Sequence, residues 1–214
     1  MARLENFLKS VWRGWLLYFF IRLAGWQGAK TKINLCSGAN LLLGYWNLDL
    51  EPKADLILDL EKFLLPFRDD SMDAVVCISA INYFTYDRAQ KIIKDVYRVL
   101  KPAGVARFGV QDLRILAGKY ITRDTNFFLE KLPNGQDRFP GKTIADKLNQ
   151  WFFGFPSYGG KTSKYVYDFE SLSLLFKIAG FKEIKEKKYR ESVLSEIEKI
   201  DNRPEQMFFL EATK

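Results

Sequence analysis

The chain has 214 residues, 48 % hydrophobic and 15 % aromatic, enough for one domain with a sizeable core and an elaborated lid. It contains no histidine and two cysteines without a C-x-x-C pair, which excludes Ser-His-Asp and Cys-His devices, a zinc site and a disulfide framework, and points to a reducing, cytoplasmic setting. The net charge of +7 fits a lysine-rich solvated surface that attracts anions, and any general base must be Asp, Glu, Lys or Tyr.

Residues 4 to 26 place Leu4, Phe7, Leu8, Val11, Trp12, Trp15, Leu16, Phe19, Phe20 and Leu23 at helical spacing, with Arg3, Lys9, Arg13 and Arg22 between them. The uninterrupted apolar run, Trp15 to Ile21, is far short of the ~20 residues that span a bilayer. The segment 1–30 is therefore an amphipathic helix that packs on the domain. The alternative is a helix lying in a membrane interface through residues 1–27, its tryptophans inserted and its arginines near headgroups.

Five apolar runs then end in small or polar residues: Lys32 to Cys36, Trp46 to Asp49, Ala54 to Leu58, Asp73 to Ser79 and Val105 to Val110. Parallel strands that stop this way direct their carboxyl ends at one crevice, where ligands bind. Only Gly38 to Tyr45 joins the first two, too little for a crossover helix. The sheet face this exposes needs another cover, and the amino-terminal helix is the candidate. Thr85 caps a helix from Tyr86 to Leu100 whose Ala89, Ile92, Ile93, Val96 and Leu100 share one face, and Lys101-Pro102-Ala103-Gly104 stops it.

From Asp112 to Tyr167 the pattern changes: Leu113 to Tyr120 reads as a helix, and after it glycine, proline and aromatics dominate, as in Phe139-Pro140-Gly141 and Trp151-Phe152-Phe153-Gly154-Phe155-Pro156. A long irregular stretch inside a compact domain is functional or mobile, and 112–167 is read as a lid over a substrate. Asp168 caps a final helix ended by Gly180. Strands at Phe181 to Tyr189 and Gln206 to Ala212 pair antiparallel to close the sheet, and the Lys/Glu alternation from Lys182 to Glu191 suits a protected edge strand more than a nucleic-acid groove. The expected fold is α/β: a Rossmann-like, doubly wound, mostly parallel sheet with an antiparallel closing strand and a shortened first crossover, formed by residues 31–214.

INLCSGAN, GYWNLDL, ADLILDLEKFLLPFRDDSMDAVV, VYRVLKPAGVARFGVQDL, YVYDFESLSLLFKIAGF and RPEQMFFLEA, in that order over residues 31 to 213, resemble a class I S-adenosylmethionine-dependent methyltransferase, and most closely the small type 11 branch found among sugar and surface-glycan enzymes. The resemblance implies S-adenosylmethionine as cofactor and O-methylation of a small molecule such as a sugar or glycan precursor, sugar-containing or anionic. A membrane-associated lipid or quinone methyltransferase and a non-catalytic cofactor-binding module are the alternatives. Nucleic acid is disfavoured, because the N-P-P-Y-type tetrapeptide is missing after strand four.

By the same resemblance, the turn at Leu35, Cys36, Ser37 and Gly38 receives the cofactor's carboxylate end. Asp49 and Leu50 meet the ribose, Asp59 and Leu60 the adenine, and Ser79 lies beneath the sulfonium. Asn82 and Tyr83 orient the acceptor. Asp112 is the candidate general base, following the fifth strand at the crevice mouth. The family's glycine is replaced by Cys36, a second by Ala103, and its H-x-L-E-H stretch reads Ser79-Ala80-Ile81-Asn82-Tyr83, so that stretch lacks the usual acid–base groups.

Overall fold

In the computed structural model, which describes residues 16–23, 28–154 and 160–214, the strand ends read from the sequence fall side by side. β1 (Lys32–Leu35), β2 (Tyr45–Asp49), β3 (Leu56–Ile57), β4 (Met72–Ile78), β5 (Leu100–Gln111), β6 (Glu183–Lys187) and β7 (Met207–Thr213) form one sheet in the order β3-β2-β1-β4-β5-β7-β6. The first five are parallel, while β7 runs antiparallel to both β5 and β6. The strand order reverses between β1 and β4, and that switch point opens the crevice.

Period-two alternation gives the sheet two unlike faces. Ile33, Leu35, Trp46, Leu48, Val75, Cys77, Phe108 and Leu210 join one apolar cluster with α2 (Tyr86–Val99) and α6 (Phe169–Ala179). Both helices are capped as the sequence implies. Arg88 N donates to Thr85 Oγ1. Asp168 and Ser171 form a reciprocal capping box, and Gly180 ends α6 at φ 113°. There a Cβ would meet the Tyr97 ring at 3.0 Å, so glycine is required by conformation and by space. The stop expected at Lys101 to Gly104 is instead an irregularity within β5, where pairing jumps from Met72↔Leu100 to Ala74↔Val105 and Ala103 adopts φ 64°.

The opposite face carries buried polar groups: Asn34, Asn47, Arg107 and Glu211. The short crossover is held without a helix. Asn34 Nδ2 donates to Asn47 Oδ1 (2.9 Å) and to the Asn40 carbonyl (2.8 Å), and Leu42 N donates to the same Asn47 oxygen (2.8 Å). Leu42 then packs with Leu194, Ile197 and Ile200, the last two from α7 (Ile197–Ile200). Cover for this face thus comes from the segment between β6 and β7, a correction to the expectation that the amino-terminal helix supplies it. The described part of that helix, α1 (residues 16–23), sends Ile21 into the other, apolar cluster, with Leu17 and Tyr18 against it. Leu4 to Trp15 and Trp26 lie outside the described residues.

Arg107 anchors the covering segment. Its guanidinium is fully buried and binds Asp201 through Nη2–Oδ2 (2.5 Å) and Nε–Oδ1 (3.2 Å), the carbonyls of Glu191 (3.0 Å) and Lys188 (3.2 Å), with Glu211 Oε2 at 3.6 Å.

The segment 112–167 is more ordered than its composition implies. α3 (Leu113–Ile121), α4 (Thr125–Phe128) and α5 (Ile144–Phe153) enclose a separate core of Leu116, Phe127, Phe128, Phe139 and Trp151. The expectation of an irregular stretch is corrected here. Thr143 and Asp146 form a capping box for α5, and that T-x-x-D signal, with Leu148, Trp151 and Phe152 at helical spacing, was present in the sequence. Phe155 and Pro156 lie outside the described residues.

Removing one partner of a buried ion pair strands the other charge, at a cost of about 3–5 kcal/mol. Asp201→Ala is expected to lower the unfolding free energy by about that amount in denaturant titration. Arg107→Met combined with Asp201→Leu is expected to recover most of the loss.

Candidate active site

The turn after β1 is built by backbone strain and one carboxylate. Cys36 takes φ 51° and Gly38 also φ 51°, the left-handed region that costs a residue with a Cβ of order 1 kcal/mol or more. Asp49, ending β2, accepts from Gly38 N through Oδ2 (2.9 Å) and from Glu51 N through Oδ1 (3.0 Å), so one side chain holds the turns after β1 and β2 together. Burial pushes the Cys36 thiol well up, with Cys77 and Asp49 adding to it, and pushes Cys77 up to about 12. Both thiols stay protonated.

These turns border a cavity of about 630 Å3. Ser37, Gly38, Asp49, Leu50, Asp59, Leu60, Ser79 and Tyr83 all line it, together with Cys36. Asp59 accepts from Glu61 N (3.0 Å) and from Lys161 Nζ (2.7 Å). Burial works against its charge, but these donors hold its carboxyl below the usual range, so it is ionised at neutral pH. Lys161 comes from the far end of the lid and closes over this end of the cavity.

A second cavity of about 210 Å3 adjoins the first and shares Ser79, Tyr83 and Arg203 with it. Asn82 and Gln111 line its floor, and Phe139, Trp151, Phe152 and Tyr165 form aromatic walls. Ser79 itself adopts φ 61° and accepts from Gln111 Nε2 (2.5 Å). Asn82 Nδ2 donates to Ser163 Oγ (2.6 Å), which ties the 3-10 turn Ile81–Tyr83 to the lid.

Two expected site residues stand elsewhere. Leu35 points into the apolar cluster and lines neither cavity, because its neighbour Asn34 takes the other side of the pleat. Asp112 also lines neither cavity. It is buried, caps α3 by accepting from Arg114 N (2.8 Å), and pairs with the Arg114 guanidinium (3.1 Å). The assignment of Asp112 as general base is corrected to a helix cap. Gln111, one residue earlier, is the β5 side chain that reaches the crevice. Sequence reasoning missed Lys161, Arg203 and the lid aromatics, which come from distant segments; period-two alternation in β5 was the available signal for Gln111.

The residues present suit an adenosyl ligand. Ser37 Oγ is buried without a partner beside a glycine whose missing Cβ leaves open space, and Asp49 keeps further acceptor capacity on both oxygens. Residues 47–108 match the family described as a methyltransferase domain. The fold resembles that of a SAM-dependent methyltransferase from Archaeoglobus fulgidus (TM-score 0.53, 15 % identity, 94 % of each chain covered). The chain thus carries a methyltransferase-domain match over residues 47–108 and shares the fold of an S-adenosylmethionine-dependent methyltransferase. A methyltransferase-like structure from Listeria monocytogenes aligns over 87 % of this chain and 90 % of its own at 18 % identity and TM-score 0.46. An uncharacterised protein of Saccharomyces cerevisiae is 28 % identical over 124 residues, 58 % of this chain, and the match spans only 13 % of that protein.

S-adenosylmethionine is the cofactor that the matched domain implies. Charge-assisted hydrogen bonds contribute about 1.5–3 kcal/mol each. Asp49→Ala is therefore expected to weaken S-adenosylhomocysteine binding by about tenfold to a hundredfold in calorimetry, with an unchanged circular dichroism spectrum. Undiminished affinity would remove Asp49 from the ribose contact.

Proposed function

We propose that the protein transfers the methyl group of S-adenosylmethionine to an oxygen of a small-molecule acceptor, of the sugar or glycan-precursor class, seated in the smaller cavity. The observation that carries this is the shared wall: Ser79, Tyr83 and Arg203 line both cavities, so a cofactor in one and an acceptor in the other meet at Ser79. When bound, the cofactor supplies an electrophilic methyl on a sulfonium. The chain's own residues align and shield. Asn82 and Gln111 leave their Oδ1 and Oε1 atoms buried and without partners, suited to donors on a polyhydroxylated acceptor. Trp151, Phe152 and Tyr165 offer faces for stacking and limit water. Cys36 and Cys77 are free thiols, which supports a reducing, cytoplasmic setting. Calorimetry with S-adenosylmethionine and S-adenosylhomocysteine tests the reading. Binding of both is expected; binding of neither would leave a module that keeps the fold without its ligand.

A second reading, attachment to a membrane surface and a lipid-soluble acceptor, is favoured by one observation. Leu16, Phe19, Phe20 and Leu23 are exposed on α1, Leu23 at 82 %, although no helix among the described residues is long and apolar enough to cross a membrane. On this reading the protein sediments with anionic phospholipid vesicles, and Phe19→Glu with Phe20→Glu abolishes sedimentation; recovery of the unaltered protein in the supernatant rejects it.

A further inference from the structure

The smaller cavity differs from the larger in which of its groups can accept a proton. Among the described residues no Asp, Glu or Lys lines it, and the chain has no histidine. The nearby carboxylates are engaged: Glu130 and Glu205 face Arg138, and Asp112 is locked to Arg114. Burial raises the pKa of Tyr83, against the pull of Arg203, so its phenol remains protonated at neutral pH. An aliphatic hydroxyl must lose its proton as it attacks, and nothing here takes it.

The same cavity is cationic. Arg138 is compensated by its two glutamates. Arg203 has no such ion pair: its Nε donates to the neutral Asn202 Oδ1 (2.8 Å), among the described residues no carboxylate stands within ion-pair distance of it, and Glu205 attracts it only from farther off. Arg203 remains solvent-accessible as a residue, yet enough protein crowds its guanidinium to lower its pKa; burial is the main cause, Tyr83 and Glu205 work against it and Arg138 adds to it. Its backbone sits at φ 51°, strain of the kind that collects at ligand sites. A guanidinium without a carboxylate favours an anion with planar, two-oxygen geometry and repels an ammonium.

We propose that the acceptor is a hydroxylated carboxylic acid, held through its carboxylate by Arg203 and methylated on that carboxylate, so that the product is a methyl ester and no protein base takes part. The inference rests on the methyl-transfer reading and narrows it from an oxygen of a sugar-like molecule to the carboxylate of a sugar acid or comparable hydroxy acid. A carboxylate oxygen lone pair forms the new carbon–oxygen bond. The methyl–sulfur bond breaks and its electron pair stays on sulfur. The negative charge of the acid and the positive charge of the sulfonium cancel, and no proton moves. The acceptor's hydroxyls donate to Asn82 Oδ1 and Gln111 Oε1, the two buried oxygens without partners.

The test uses the full chain with glucuronate, galacturonate and gluconate against their neutral counterparts glucose, galactose and sorbitol. Calorimetry with S-adenosylhomocysteine comes first, and failure there removes the methyl-transfer reading itself before any acid is added. With S-adenosylhomocysteine bound, at least one acid is expected to raise the melting temperature while its neutral counterpart does not. With methyl-tritiated S-adenosylmethionine, label is expected in a product that releases volatile methanol in alkali, at a rate that is flat between about pH 6 and 9 for want of a titrating base. Arg203→Met is expected to cut kcat/KM for the acid by at least about tenfold and abolish the melting shift, and Arg203→Lys to restore part of both. Equal effects of acids and neutral sugars, alkali-stable label, no labelled acid across the panel, or an undiminished kcat/KM for the acid in Arg203→Met would each overturn the proposal.

Discussion

A guanidinium buried in the middle of the sheet organises one side of this molecule. Arg107 sits on β5 at 0 % exposure, where an unpaired charge would cost several kcal/mol. It is satisfied only by drawing in Asp201 and the carbonyls of Lys188 and Glu191. That requirement fixes the path of the chain between β6 and β7, lays Leu194, Ile197 and Ile200 on Leu42, and so covers the face that the helix-free crossover leaves bare. The same segment runs on from Asp201 to Asn202 and Arg203 on the cavity wall. The covering device and the cavity's guanidinium thus lie two residues apart, and the pairing at the sheet centre positions that charge.

The two cavities divide the work by chemistry. The larger is edged by carboxylates, Asp49 and Asp59, set at the ends of β2 and just beyond β3, and by turns strained into left-handed conformations at Cys36 and Gly38. The smaller is aromatic and cationic, and its walls come from a lid that has its own core. Because Phe139 and Trp151 belong to that core and also face the cavity, lid packing and acceptor shape are set by the same side chains. Lys161 on Asp59, Lys164 on Glu61 and Ser163 on Asn82 fasten the lid's return to the body on both sides of the crevice.

Particular elements show how far the sequence could be read. The strand ends, the Thr85 and Asp168 caps, the Gly180 stop and the antiparallel closing strand were legible because each depends on local backbone chemistry: apolar period, capping oxygen, left-handed glycine. Ser37, Gly38, Asp49 and Asp59, which line the larger cavity, were legible because they end strands or follow them directly. Leu35 and Asp112 were misread for one reason. Near a strand end, one residue of offset turns a side chain from crevice to core or cap, and sequence alone does not fix where a strand's last pleat falls. The lid's first helix, Leu113–Ile121, was legible; the later two were masked by glycine, proline and aromatic content, although the Thr143–Asp146 box announced one of them.

By itself the sequence determined the α/β class, the order of elements, the missing crossover helix and the absence of any histidine, since these are properties of composition and short-range pattern. Only the tertiary structure decided which segment covers the polar face, that Asp112 is a cap, and that Arg203, Gln111 and the lid aromatics converge on one cavity that no carboxylate among the described residues lines. Those facts depend on contacts between residues far apart in the chain, made where burial of Arg107 and the twist of the sheet bring them, and no local signal carries that information.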